Sequence, residues 1–394
     1  MQERLSLSFS QLRKNLPTPG NIQHESAAKS IYLMIGSNMI KILIVDDSAV
    51  VRKVLSDELS KARGIEVVGT AVDPYVARDK IVRLKPDVIT LDLEMPRMDG
   101  LTFLRKLMKY YPMPVLVISS LTPKGSDTAL KALELGAVDV VCKPGSAFSV
   151  AEISKMLVEK IRAAAVAQIK PPASRGRVES ITCPGNALQY TSHGVLAIGA
   201  STGGTRAIED ILVALPNNTP GTIIVQHMPE HFTATFAKRL NSLSRMEVRE
   251  AVNNDLVVPG VALIAPGGRH MVLRRSGARY CVSIKMGPPV HHQRPSVDVL
   301  FHSVATQAGS NALGVILTGM GSDGAEGLGA MKKAGARTIA QDQASCVVFG
   351  MPKEAIDAGA VEATLPLVDI PQRIVDLMSK RNANPGRPVL AQNY

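Results

Sequence analysis

A chain of 394 residues with 45% apolar content can bury two cores of ordinary domain size. It has no Trp and only 4% aromatic residues, which excludes an aromatic-lined groove for sugars or nucleic acid. Its formal charge of +11 points to an anionic partner, but the excess is dispersed, with no helix-turn-helix pattern and no basic–aromatic interleaving; an acidic protein surface is expected rather than nucleic acid.

Residues 1–38 carry Arg4, Arg13, Lys14 and Lys29 but lack the continuous apolar segment of a signal peptide. They read as an irregular extension, and Met39, directly before the first strand, is a candidate start. From 40 to 162, apolar runs at 40–45, 65–70, 87–90, 114–119 and 138–142 alternate with helical stretches near 49–62, 75–84, 100–109, 126–135 and 150–165. This alternation predicts a doubly wound, five-stranded parallel sheet of flavodoxin-like α/β class in a domain spanning 39–165. Residues 166–192, with Lys170, Arg175 and Arg177 among Pro, Gly and Ser, have linker composition.

A second α/β domain is expected over 193–384, with a tail at 385–394. The runs VLAIGA, GTIIVQH, VALIAP and LGVILTG are its strands, and helices are predicted near 205–215, 230–243, 297–309 and 324–335. The segment 246–285 reads differently: EVREAV, VALIAP, HMVLRR and YCVSIK are short strands between Gly and Pro turns, expected to form one or two antiparallel hairpins inserted in a mostly parallel sheet. No apolar run approaches the roughly 20 residues of a membrane span. Cys142, Cys183, Cys281 and Cys346 have no CxxC spacing. Reduced thiols in a cytoplasmic protein without direct membrane insertion are therefore expected.

Polar residues cluster at strand ends. In the first domain Asp46 and Asp47 follow the first strand, Asp92 the third, Ser119 the fourth and Lys143-Pro144 the fifth. A parallel sheet brings these ends to one rim. Carboxylates that close need a hard cation, for which Mg²⁺ fits. Asp92 could then attack phosphorus while Lys143 and the Ser119 hydroxyl meet the phosphoryl oxygens, and Lys143–Pro144 is a candidate cis peptide that aims the lysine. Over 40–162 the chain resembles the receiver domains of two-component response regulators. The resemblance implies Asp92 as phosphoacceptor, Asp46 and Asp47 as further Mg²⁺ ligands, and Ser119 and Lys143 as phosphate sensors. Val140 stands where many receivers carry a switch aromatic, so the usual ring rotation is not expected.

In the second domain Gly199-Ala200-Ser201-Thr202-Gly203 fits the strand-to-helix turn that projects a nucleophilic serine. The same residues could merely cap the next helix or hold a phosphate. His227 at the tip of the next strand and Asp323 in a Gly-rich loop after a later one add a base and its orienting carboxylate. The order Ser, His, Asp differs from that of α/β-hydrolases. The loop 319–322 could present backbone amides to an oxyanion, and His291-His292 reads as a solvent-facing loop without a nearby carboxylate at metal-site spacing.

IGASTGGT, VQHMP, RPSVDVLF (294–301) and LTGMGSDGAEG, behind a receiver, resemble the CheB family of chemotaxis protein-glutamate methylesterases over roughly 39–384. That resemblance implies a Ser201, His227 and Asp323 triad, Thr202 beside the nucleophile and the Met320 amide in the oxyanion hole. It further implies regulation through Asp92, with a chemotaxis histidine kinase as phosphodonor. Methyl-accepting chemotaxis receptors would be the substrate for ester hydrolysis and glutamine deamidation, with no cofactor in the catalytic domain. A receiver-linked serine hydrolase of another ester or amide, or a receiver-coupled nucleic-acid output, are the alternatives.

Overall fold

The computed structural model describes residues 39–120, 122–143, 150–169 and 194–380. The expected extension, most of the linker and the tail lie outside them. The chain divides into two compact units.

The first unit runs β1 (Ile40–Val45), α1 (Ala49–Ser60), β2 (Ile65–Ala71), α2 (Pro74–Leu84), β3 (Val88–Asp92), α3 (Gly100–Tyr110), β4 (Val115–Ser119), α4 (Pro123–Leu135), β5 (Asp139–Cys142) and α5 (Val150–Ala165). Its strands form one sheet in the order β2-β1-β3-β4-β5, and every pairing is parallel. The central β3 and β4 are buried along their whole length, as continuous apolar runs covered on both faces should be. Helices start where the sequence supplies an acceptor: Ser48, Asp73 and Asp99 each take a backbone N–H of the following first turn. The strand order reverses between β1 and β3, and the crevice lies beyond their carboxyl ends.

The second unit holds β6 (Val195–Ala200), α6 (Gly204–Ala214), β7 (Gly221–Gln226), α7 (Phe232–Leu243), β8 (Glu247–Glu250), β9 (Val261–Ile264), β10 (His270–Ser276), β11 (Arg279–Lys285) and α8 (Val297–Gln307). It continues with β12 (Ala312–Ile316), α9 (Ala325–Lys333), β13 (Arg337–Gln341), α10 (Met351–Asp357), β14 (Ala363–Leu365) and α11 (Ile370–Lys380). Seven strands pair in parallel in the order β14-β13-β12-β6-β7-β9-β8. The antiparallel insertion is the single hairpin β10–β11.

EVRE and VALI do not belong to a hairpin. They are β8 and β9, paired in parallel at the edge of the main sheet. After Glu250 the chain leaves that sheet and runs along β11, with Asn254 donating to the Val282 carbonyl and Val257 to that of Tyr280. It then turns through Pro259-Gly260 and re-enters in the original direction. Strands β13 and β14 and helices α10 and α11 complete the alternation that the sequence suggested through residue 380 without resolving its parts.

One close approach sets the geometry of the mouth. A Cβ on Gly199 would stand 2.3 Å from Val297 Cγ1 and 3.2 Å from the Phe301 ring. The absence of a side chain there seats the first turn of α8 directly against the end of β6. Val297, Leu300, Phe301 and Val304 of that helix are fully buried in the core of the second unit. Gly199→Ala is accordingly expected to destabilise the protein by about 1–3 kcal/mol through overpacking. A fall in the urea midpoint at unchanged slope checks this; an unchanged midpoint contradicts it.

Candidate active site and phosphoacceptor site

The rim of the first unit collects Asp46, Asp47, Asp92, Ser119 and Lys143, as the strand order requires. Asp46 and Asp92 are buried and Asp47 is exposed; ligand atoms of the three lie within 4.8 Å of one another. Lys143 Nζ donates to Asp92 Oδ2 at 2.7 Å and stands 3.8 Å from Asp46 Oδ2. The other carboxylate oxygens take amides, Asp46 Oδ1 from Ser48 at 2.8 Å and Asp92 Oδ1 from Glu94 at 3.1 Å. Arg52 pins the loop by donating to the carbonyls of Asp46 and Asp47.

Asp46 Oδ2 is buried without a hydrogen-bond partner. Burial, aided by the Asp92 charge and opposed by the Ser48 amide, pushes the Asp46 carboxyl up to about 6. Burial also raises Asp92, against the hydrogen bond and charge of Lys143. Acids held this way carry more negative charge than one lysine neutralises. An oxygen-ligand set with an unfilled buried valence suits a hard dication. The Ser119 hydroxyl donates to the Gly125 carbonyl at 3.1 Å. Val140, at the position noted for its missing aromatic, is buried in β5. The Lys143–Pro144 peptide lies outside the described residues.

At the mouth of the second unit, β6 and β7 end side by side with Ala200 opposite Gln226. The His227 amide extends the ladder by donating to the Ala200 carbonyl at 3.1 Å. Ser201 and His227 are thus cross-strand neighbours, on backbones about 4.8 Å apart. On the other side the Ser201 amide donates to Thr318 at 3.0 Å, which fixes the serine between two strand ends. Gln226 Nε2 ties the pair further by donating to the Ser201 carbonyl at 2.8 Å.

Helix α6 is capped by Gly203, with φ of 79° and no side-chain cap bond. The simpler reading of Ser201 or Thr202 as a helix cap therefore fails, and the Ser201 hydroxyl is left for other work. Thr202 is buried, its carbonyl accepting from Thr318 Oγ1 at 3.0 Å. The loop after β12 presses on the serine: a Cβ on Gly319 would meet Ser201 Cβ at 2.7 Å. Gly319 is clamped, its amide donating to Val348 and its carbonyl accepting from Gly350 and Met351. The next amide is that of Met320, which donates to no backbone acceptor among the described residues.

Asp323 is only 2% exposed, and both of its oxygens are saturated. Oδ1 accepts from Ser296 Oγ at 2.8 Å and the Asp298 amide at 2.9 Å. Oδ2 accepts from the Val297 amide at 2.8 Å and pairs with His227 Nε2 at 2.8 Å. Burial opposes ionisation here, but the hydrogen bond and charge of His227 and the amides of Asp298 and Val297 outweigh it. They hold the carboxyl below the ordinary carboxylate value. With Nε2–H directed at Asp323, the bare nitrogen of a neutral His227 is Nδ1, which is buried and has no hydrogen-bond partner.

Sequence reasoning brought Ser201, His227 and Asp323 to one rim but missed the first turn of α8, which supplies three of the four donors to Asp323. The available signal was Ser296 ahead of an apolar helical run, since a helix N-terminus is an anion site. His291 and His292 face solvent as expected, but the loop also brings His291 to a carboxylate. A bridge between Val290 and Gln293 turns the loop back, so that His291 Nε2 lies 3.0 Å from Asp298 Oδ2. Ligand atoms of His291, Asp298 and Asp323 cluster within 4.8 Å, but the Asp323 oxygens are already engaged as described.

Residues 196–374 match the family model described as CheB methylesterase, and residues 42–156 that of the response regulator receiver domain. The protein-glutamate methylesterase/protein-glutamine glutaminase 2 of Syntrophus aciditrophicus is 59% identical over 344 residues, 86% of this chain and 99% of that protein. The corresponding enzyme 4 of Anaeromyxobacter dehalogenans is 60% identical over 338 residues, 86% of this chain and 95% of that protein. The crystal structure of the Thermotoga maritima CheB methylesterase catalytic domain is 39% identical, with TM-score 0.47, covering 48% of this chain and 100% of that one.

The raised carboxyl of Asp46 has a stability consequence whose sign is fixed. Its folded value of about 6 exceeds the ordinary aspartate value of 3.8, so the folded state binds more protons between these pH values. Stability from this group is then lost as pH rises through that window. Without added metal, Asp46→Asn is expected to stabilise the protein by about 1 kcal/mol at pH 7.5, with the gain vanishing at pH 4. Urea unfolding at both pH values reads this; a destabilised variant at pH 7.5 contradicts it.

Proposed function

The chain belongs to the CheB methylesterase family, and we infer that Ser201, His227 and Asp323 are its catalytic triad and Asp92 its phosphoacceptor. The protein is a receiver-bearing protein-glutamate methylesterase and protein-glutamine glutaminase. This family carries an esterase output, so a nucleic-acid output and an unrelated hydrolase drop out. The observation that carries the triad is the Asp323–His227 bond on Nε2, with Nδ1 bare next to the strand end that bears Ser201.

The chemistry follows from that polarity of the ring. Ser201 Oγ attacks the γ-carbonyl of a glutamyl methyl ester as its proton passes to His227 Nδ1. Asp323 stays ionised and stabilises the imidazolium. The oxyanion is met by the Met320 N–H, held in place by the clamp on Gly319, and Thr202 lines the approach. Collapse expels the methoxy oxygen, which takes the proton from His227 and leaves as methanol. Water then gives a proton to Nδ1 as its oxygen attacks the acyl carbon, and the proton returns to Ser201. With glutamine the leaving group is ammonia. Each turnover leaves a new carboxylate on the receptor. The substrate is the cytoplasmic part of a methyl-accepting chemotaxis receptor, which places the enzyme in the cytoplasm.

In the receiver, Asp92 attacks the phosphorus of a phosphohistidine on the chemotaxis kinase, the new O–P bond forming as the P–N bond breaks and the kinase imidazole leaves. A Mg²⁺ held by Asp46, Asp47 and Asp92 would neutralise the phosphoryl oxygens. Lys143 follows the charge from Asp92 Oδ2 to the phosphoryl group, and the Ser119 hydroxyl exchanges the Gly125 carbonyl for a phosphoryl oxygen. A tenfold shift from a less active to a more active state of the enzyme needs about 1.4 kcal/mol of interaction that differs between them, within reach of these two contacts.

Methanol release from methyl-esterified receptor membranes tests both halves. Ser201→Ala is expected to lower kcat by roughly a thousandfold or more. An acyl phosphate should stimulate the wild type but not Asp92→Asn, and chelation of divalent metal should remove the stimulation while sparing basal turnover. Full activity in Ser201→Ala refutes the triad, and equal stimulation of Asp92→Asn refutes the phosphoacceptor.

A further inference from the structure

We propose that Ser296 is a positioning residue for the Asp323–His227 pair, and that His270 holds Ser296 in register; the proposal rests on the triad assigned above. Ser296 has no exposure to solvent, and its Oγ stands 2.8 Å from Asp323 Oδ1. An ionised carboxylate only accepts, so the hydroxyl donates its single proton there. The same oxygen accepts from the Val299 amide at 3.3 Å, which fixes the rotor from the other side.

The four contacts on Asp323 divide evenly. His227 and the Val297 amide hold Oδ2, while the Ser296 hydroxyl and the Asp298 amide hold Oδ1. The plane of the carboxylate, and with it the aim of Oδ2 at the imidazole, depends on both pairs. Two of the donors are backbone amides of one helical turn and cannot adjust separately. Ser296 supplies the side-chain donor that locks the Oδ1 half.

His270 secures the backbone of Ser296. It is buried; its Nδ1 accepts from the Ser296 amide at 3.2 Å, and its Nε2 donates to the Pro288 carbonyl at 2.9 Å. Both ring nitrogens are engaged, and the accepting Nδ1 requires a neutral ring. A continuous chain therefore runs from Pro288 through His270, Ser296 and Asp323 to His227. It lies on the far side of the imidazole from the bare Nδ1.

Ser296 is also the cap of α8, and a cap alone would explain its burial. The two roles separate by substitution. Glycine is nearly as good a helix cap as serine, but it loses the donor to Asp323 entirely. On the full-length protein, Ser296→Gly should stay folded at the assay temperature, its melting temperature lowered by the bond lost at Asp323. Its kcat for methanol release should fall on the order of ten- to a hundredfold, with KM within about twofold of wild type. The downfield proton resonance of the Asp323–His227 bond should shift or vanish with it. Ser296→Ala, normalised to its folded fraction, should lose kcat likewise, and Ser296→Thr should recover most of it.

Wild-type kcat and an unchanged proton resonance in folded Ser296→Gly overturn the proposal. So does a loss in either variant that merely tracks its unfolded fraction. Ser201→Ala run alongside separates the two levels. If it is active, the triad falls and this proposal with it; if it is dead while Ser296→Gly is fully active, the proposal falls alone.

Discussion

The second unit depends on keeping a carboxylate ionised where water barely reaches it. Burying such a charge without partners costs several kcal/mol or neutralises the group. Asp323 avoids both outcomes because the start of α8 is brought to it. Val297 and Asp298 offer amides that no helix satisfies internally, and Ser296 adds a hydroxyl. The smallness of Gly199 lets that turn sit against the end of β6, the strand that carries Ser201. Local backbone chemistry, packing and the electrostatics of the base are thus one arrangement.

The rim of the first unit meets the opposite problem with the same architecture. Both sites sit beyond the carboxyl ends of parallel strands, where loops converge without crossing. At Asp323 every lone pair is answered by the protein and the carboxyl is held down. At Asp46 one buried oxygen is unanswered and the carboxyl is pushed up. The first is complete as it stands, which suits the orienting role proposed for it. The second holds unbalanced charge, which suits the cation and phosphoryl group proposed to bind there.

Much of this was legible in the sequence because fully covered parallel strands are continuous apolar runs. VLAIGA and GTIIVQ carry that signature, and their ends delivered Ser201 and His227. EVRE did not: β8 is a half-exposed edge strand, and its pattern is that of a hairpin arm. Its parallel pairing is decided by the excursion along β11, a tertiary contact that no local window contains. The three residues of β14 are too few for any period to register. Ser296 escaped for a related reason. Its cap signature is common to many helices, and its particular use depends on a partner 27 residues away.

One hydroxyl becomes the covalent attachment point because His227 Nδ1 removes its proton. Mass spectrometry of the intact protein and its peptides after treatment with a fluorophosphonate tests this without any receptor. A single adduct is expected, on Ser201, formed quickly by the wild type and very slowly by His227→Gln. An adduct on another residue, or none while methanol release continues, would contradict it.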